Sequence, residues 1–347
     1  MFGSQQRSNT SGLEALLHRP RPTAWQQFLR RPCVYLAREL YNRRQQSSAV
    51  LPLAPPPSLP PQAGSDPVSV VCISDTHNTQ PALPDGDILI HAGDLTQSGT
   101  FQELEVAIAW LRRQPHPIKI VVAGNHDLLL DADRDNHNGV ASAGDDVDAA
   151  ALRRSLDWGD IIYLEDEETT VTVTCNNNNN SNSNGQRRLR HLRVYGSPRT
   201  PRHGSWAFQY PRETDVWASE KHAVPGGVDV LVTHGPPQGH LDAAAGLGCA
   251  HLLGALWGAR PRPRLHVFGH VHEGGAGVEA LRFDGLQAAY ERTVAAGGGV
   301  WNLVRTAAHF VLALLGPAVE AQSLLVNAAM VGGLRDEERR VPVKVFI

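Results

Sequence analysis

From residue 68 onward the chain alternates short apolar runs with polar turns. Val68–Ile73 is a β-branched run ending in Ser74-Asp75, and Asp87–His91 is a second, ending in Ala92-Gly93-Asp94. Within residues 100–113, Phe101, Leu104, Ile108 and Leu111 recur at the spacing of one helix face, and Pro115 and Pro117 stop that helix. Ile118–Ala123 is a third strand, ending in Gly124-Asn125-His126-Asp127. This rhythm predicts an α/β sheet. Residues 131–150 are acidic and small and read as a loop, Ala149–Trp158 as a helix, and Ile161–Leu164 and Thr169–Thr174 as short strands. The asparagine tract Asn176–Gly185 has nothing apolar to bury and reads as a disordered hairpin loop. Leu192–Tyr195 restarts the sheet, followed by a loop rich in Trp, Pro and His from Gly196 to Arg212. Asp229–Thr233 then leads into His234-Gly235-Pro236-Pro237, and Leu265–Phe268 into Gly269-His270-Val271-His272. Leu324–Asn327 and Val341–Phe346 are strand-like.

Two regions break this rhythm. Residues 1–65 read as an extension to a domain spanning 66–347. They are rich in arginine (Arg7, Arg19, Arg21, Arg30, Arg31, Arg38, Arg43, Arg44), with Glu14 and Glu39 the only acids. That bias fits a mitochondrial-type leader and equally a basic helix on an anionic membrane, with Trp25–Tyr41 as the helix; a poorly ordered extension balances the two. Leu51–Pro61 is a proline-rich linker. The second region is an apolar insert at about 290–320. Its core, Gly299–Val319, contains Arg305 and His309, which favours a packed or amphipathic helix over a membrane span.

Composition narrows the function little. The 347 residues are 41% hydrophobic and 19% charged with a net charge of −3, so nothing marks a binder of nucleic-acid polymers. Cys33, Cys72, Cys175 and Cys249 are scattered, which fits reduced thiols in an intracellular protein. Cytoplasmic placement follows first, with mitochondrial or membrane-associated placement as alternatives.

The chemistry gathers at strand ends. Asp75 and His77, Asp94, Asn125 and His126, His234, and His270 and His272 each follow an apolar run, where ligands collect in open α/β sheets. A lone Asp at such a place is more often a cap or turn former. Five such motifs together are costly to bury without a cation. Carboxylates and imidazoles suit Mn, Fe or Zn, and the donors are about enough for two ions.

The order Asp75-x-His77, Gly93-Asp94, Gly124-Asn125-His126-Asp127, His234-Gly235 and Gly269-His270-x-His272 resembles the calcineurin-like metallophosphoesterases. Thr233-His234-Gly235-Pro236-Pro237, Leu265–His270 and Tyr195-Gly196-Ser197-Pro198 are similar to its MPPED (239AB-like) branch, whose members are implicated as phosphodiesterases. The resemblance implies a four-layer α/β/β/α sandwich of two mixed sheets. It implies two divalent ions, Mn²⁺ first. One is held by Asp75, His77, Asp94 and His272, and the other by Asp94, Asn125, His234 and His270. It casts His126 as the acid for the leaving oxygen and Asp127 as the group that orients His126. Some relatives of this branch carry Gly where His270 stands, so its presence implies a complete second site. A small cyclic-nucleotide-like phosphodiester is the expected substrate. Arg199, Arg202, His203 and Trp206 are its candidate contacts, against a loop that merely packs on the sheet. A phosphomonoesterase with the same centre and a membrane-associated metal-binding scaffold are the alternatives. Membrane contact is expected, if at all, through the N-terminal arm or residues 299–319.

Overall fold

The computed structural model describes residues 23–47, 66–133, 148–175, 188–243, 246–272, 277–332 and 338–347. The linker Leu51–Pro61 and the asparagine tract lie outside them. Five strands build the first sheet: β1 (Ser69–Ile73), β2 (Ile88–Ala92), β3 (Ile118–Val122), β4 (Ile161–Tyr163) and, from the far end of the chain, Val343–Phe346. Between β4 and that last strand come β5 (Glu167–Cys175), β6 (Arg188–Ser197), β7 (Thr200–Pro201), β8 (Gln209–Tyr210), β9 (Val230–Thr233), β10 (Leu265–Phe268), β11 (Gly277–Leu281), β12 (Ser323–Asn327), β13 (Val331–Gly332) and β14 (Glu338–Arg339), which makes Val343–Phe346 β15. The first sheet runs β15-β1-β2-β3-β4, with β15 antiparallel and the rest parallel. The second runs β11-β12-β10-β9-β6-β5, parallel at its centre and antiparallel at both edges.

Strand periodicity explains how the two sheets meet. Val70 and Cys72 point one way and Val71 and Ile73 the other, and all four are buried. Val70, Cys72, Ile88, Ile90, Ile120 and Val122 of the first sheet join Val171, Val194, Val232, Val267 and Val326 of the second in one core between the sheets. The outer face of the first sheet packs on α3 (Phe101–Arg112) through Leu104, Ile108 and Leu111. Thr100 and Glu103 start that helix with a reciprocal capping box. The outer face of the second sheet meets α5 (Ala250–Gly258) through Leu252 and Leu256. The result is the expected α/β/β/α sandwich of two mixed sheets. Helix α4 covers only Ala149–Ser155, shorter than the sequence pattern suggests, because Leu156 turns to extended backbone.

The described part of the N-terminal arm, residues 23–47, holds a pair of helices, α1 (Ala24–Arg30) and α2 (Pro32–Ser47), not one. Pro32 lacks an N–H and disfavours helical backbone at Arg31, which has φ −146°. Residues 24–47 do not trail from the domain. Val34, Ala37 and Tyr41 of α2 pack on Leu286, Tyr290 and Val294 of α6 (Gly285–Ala295). Tyr41 and Tyr290 stack with ring centroids 4.3 Å apart. The apolar insert forms α7 (Val300–Leu315), packed on α2 and α6. Among the described residues no helix is long and apolar enough to cross a membrane.

Candidate metal centre

The carboxyl ends of β1, β2, β3, β9 and β10 converge, and each delivers its polar motif to one place. The backbone there is bent on purpose. Asp75, His77, Asp94 and His270 have φ of 53°, 42°, 55° and 65°, the left-handed region, where Asp and His are tolerated better than most side chains. Gly124 and Gly269 allow the close approach. A Cβ at Gly124 would strike the Asp94 backbone and carboxylate, and one at Gly269 would strike the Asp75 carboxylate and the Ser74 side chain.

Three donor groups result: Asp75, His77 and His272; His77, Asp94 and His126; and Asp94, His234 and His270. Within each group the ligand atoms lie within 4.8 Å of one another. His77 and Asp94 each belong to two groups. His272 Nε2 donates to Asp75 Oδ1 at 3.0 Å, and the His270 backbone N–H donates to the same carboxylate at 3.0 Å. Asp94 Oδ1 accepts from the His126 N–H at 2.7 Å, and its Oδ2 lies 3.3 Å from His234 Nε2 and 3.9 Å from His77 Nε2. Asn125 Oδ1 lies 3.0 Å from His234 Nε2, which adds the amide to the third group.

Backbone carbonyls aim the imidazoles. The Nδ1–H of His77 donates to Thr96 at 3.2 Å, that of His126 to Gln97 at 2.8 Å and that of His234 to Ala92 at 2.9 Å. Each bond fixes the tautomer and turns Nε2 inward, as ligating imidazoles require. His77 Nε2 is buried and has no hydrogen-bond partner. An unpaired nitrogen amid carboxylates, an all-oxygen and imidazole donor set, and glycines that leave room for the carboxylates together fit divalent ions.

Electrostatics agree. Burial works against ionisation of Asp75, yet the hydrogen bond and charge of His272, with His234 and His77 behind it, hold its carboxyl well below the usual range. Burial opposes Asp94 too, and the charge and hydrogen bond of His234 outweigh it. Burial disfavours protonated His234, but Asp94 and then Asp75 raise it to about 9. Burial and the charge of His234 depress His270 to about 3, so that ring is a neutral donor. The two carboxylates call for positive charge at this spot. A bound cation would meet that demand without a protonated imidazole.

Several sequence expectations change. Asp127 does not reach the His126 ring. Its Oδ2 accepts from the N–H groups of Gly124 at 2.8 Å and Leu95 at 3.2 Å. Its Oδ1 accepts from the N–H of Thr96 at 3.0 Å and the Thr96 hydroxyl at 2.7 Å. The carboxylate therefore laces the β2 and β3 loops together, and the Gln97 carbonyl orients His126 in its place. Arg199 turns inward, with Nε 3.0 Å from Asp166 and a terminal nitrogen 3.5 Å from Asp133, so its guanidinium is committed within the protein. Arg202 and His203 are exposed on the neighbouring loop, and neither belongs to a donor group. Trp206 alone of the four candidate contacts meets the site, stacked on His126. Residue patterns carry no signal for Ala92, Thr96 and Gln97, because every residue has a carbonyl.

A family model described as calcineurin-like phosphoesterase matches residues 68–274. The chain is 42% identical over 339 residues to the "Probable rhamnogalacturonate lyase C" of Emericella nidulans, covering 96% of this chain and 29% of that protein. It is 38% identical over 217 residues to the human "Metallophosphoesterase domain-containing protein 1", covering 59% of this chain and 60% of that one. It is 36% identical over 222 residues to "UPF0046 protein K07C11.7" of Caenorhabditis elegans, covering 62% and 67%. The chain thus spans less than a third of the first relative and about three fifths of the second.

Proposed function

The chain belongs to the calcineurin-like phosphoesterase family, and from that premise we propose that it is a two-metal hydrolase of small phosphodiesters, cyclic-nucleotide-like in kind. The observation that carries the reading is the linkage of three donor groups through His77 and Asp94. Asp75, His77, Asp94 and His272 would hold one ion, and Asp94, Asn125, His234 and His270 the other. Such a pair, Mn²⁺ in our reading, supplies Lewis acidity toward phosphoryl oxygens and a nucleophile from water at neutral pH.

The chain's own residues do the rest. Asp94 shares one donor group with His77 and another with His234, and so would link the two ion sites. His126, anchored at Nδ1, presents Nε2 beside His77 and Asp94 and in its protonated form donates that proton to the departing oxygen. Trp206 covers one face of the ring and limits its approach to water.

A diester is favoured over a monoester by charge. A monoester dianion calls for a nearby cationic side chain, and Arg199 is tied to Asp166 and Asp133. A singly charged diester makes no such demand. The experiment is turnover by Mn²⁺-loaded protein of bis-p-nitrophenyl phosphate, p-nitrophenyl phosphate and 2′,3′- and 3′,5′-cyclic nucleotides. The diesters are expected to lead in kcat/KM. Preference for the monoester would overturn the diesterase reading, and no turnover at all with metal bound would leave a metal-binding scaffold.

A further inference from the structure

Helix α7 turns an apolar stripe to solvent. Val300, Val304, Ala308, Val311 and Leu315 recur at helical spacing on one face, with Trp301 and Leu312 beside them, and all seven are exposed. Trp301 and Leu315 are each 81% exposed. Packing is done by the opposite face. Thr306 is buried, and Leu303, Phe310 and Ala313 rest against the α2–α6 cluster. On a helix of this kind the solvent face is ordinarily polar. Here it is as apolar as the packed one.

The charge around the stripe is one-sided. Residues 292–319 contain Arg292 and Arg305 and no acid, and both arginines are exposed. The arm packed against them, residues 24–47, carries five arginines and one acid, Glu39. Cys33 and Val34 lie against Gly298, so the exposed Arg30 and Arg31, just before them, enter near the start of α7. The whole chain carries a net charge of −3, so this positive balance is local.

We propose that this face docks on an anionic lipid bilayer. The helix lies in the plane of the interface, with the stripe among the acyl chains and the arginines on the headgroups. A second copy of the chain suits the face poorly, because isologous pairing would set arginine against arginine. With 16 residues, α7 lies on the surface and does not span.

The test is co-sedimentation of the full chain with phosphatidylcholine vesicles, with and without phosphatidylserine. Binding is expected only where the anionic lipid is present, weakening with salt, and accompanied by a blue shift in tryptophan emission that Trp301→Phe diminishes. Leu312→Glu with Leu315→Glu, and separately Arg30→Gln with Arg31→Gln, are each expected to lower the partition by about an order of magnitude. Phosphoester turnover without vesicles should be unchanged in both variants, which reports that they fold. No binding at low salt, equal binding to neutral vesicles, or binding that survives the two glutamates overturns the proposal. A lipid-free dimer that the glutamates dissolve would assign the face to a second copy and overturn it too.

Discussion

The indole of Trp206 stacks on the imidazole of His126, ring centroids 4.3 Å apart and planes 25° from parallel. His77 meets the same imidazole edge-on at 4.7 Å. The Trp206 loop is pinned to the His126 loop by the Ala207 N–H on the Asn125 carbonyl at 3.1 Å, and by the Phe208 N–H on Asp131 at 2.7 Å. The ring is thus held by one hydrogen bond and two aromatic neighbours. Trp206→Ala removes one of them, and kcat should fall about 10- to 100-fold with metal content unchanged. Trp206→Phe should recover most of the loss. Steady-state kinetics beside metal analysis check this; a rise in KM at constant kcat would mean that the indole binds substrate and does not position His126.

Asp127 and His126 are neighbours in sequence with separate duties, and mutation should part them. Asp127→Ala leaves the N–H groups of Gly124, Leu95 and Thr96 without their carboxylate. A loss of about 1–3 kcal/mol in unfolding free energy is expected for such buried donors. His126→Gln should instead cost about 10²–10⁴ in kcat at little cost in stability. Denaturant unfolding and kinetics on both variants decide. An Asp127 variant of full stability and lost turnover would return the carboxylate to an orienting role.

Because Asp94 belongs to two donor groups and His272 to one, their replacement should differ in stoichiometry. Asp94→Asn is expected to strip both ions from about two per chain, and His272→Ala to strip only one. Metal-to-protein ratios after dialysis read this directly. Equal loss from both variants would contradict the shared-carboxylate arrangement.

Much of this centre is legible in the chain because each donor follows an apolar run. Strand ends in a parallel sheet share one edge, so Asp75, Asp94 and Asn125 gather on the first sheet and His234 and His270 on the second whatever the loop lengths between them, and the face-to-face packing of the two sheets joins the sets. The fold is legible for the same reason: strands buried on both faces read as unbroken β-branched runs. What escapes is everything set by pairing across the fold. Arg199 looks like a phosphate ligand until Asp166, which precedes β5 and is brought beside it by the β5–β6 pairing, is found against it at 3.0 Å. Asp127 looks like a partner for His126 until its oxygens are found on backbone amides, which no side-chain pattern records. The arm's docking is hidden likewise, since Val34, Ala37 and Tyr41 find their partners on α6, far along the chain.

That docking rests on a buried charge. His240 is fully buried, with Nδ1 2.7 Å from Glu279 and Nε2 3.0 Å from Glu291. Tyr41 of the arm and Tyr290 of α6 flank its ring, Gln287 donates to Glu291 at 2.8 Å, and Trp257 Nε1 donates to the same carboxylate at 2.6 Å. Burial disfavours the imidazolium, but Glu279 and then Glu291 raise His240 to about 10. A histidine whose folded value lies above its unfolded value stabilises fully below the ordinary histidine range. That contribution declines as pH climbs toward the folded value. His240→Gln should therefore lower unfolding free energy most near pH 6, and the gap to the wild type should narrow steadily up to about pH 10. At its largest it should approach the roughly 3–5 kcal/mol seen when one member of a buried ion pair is removed. Urea unfolding of both proteins across this range measures the gap, and comparison at each pH cancels the titration of groups that do not contact His240. A gap that stays constant or widens with pH would mean that His240 is neutral in the fold.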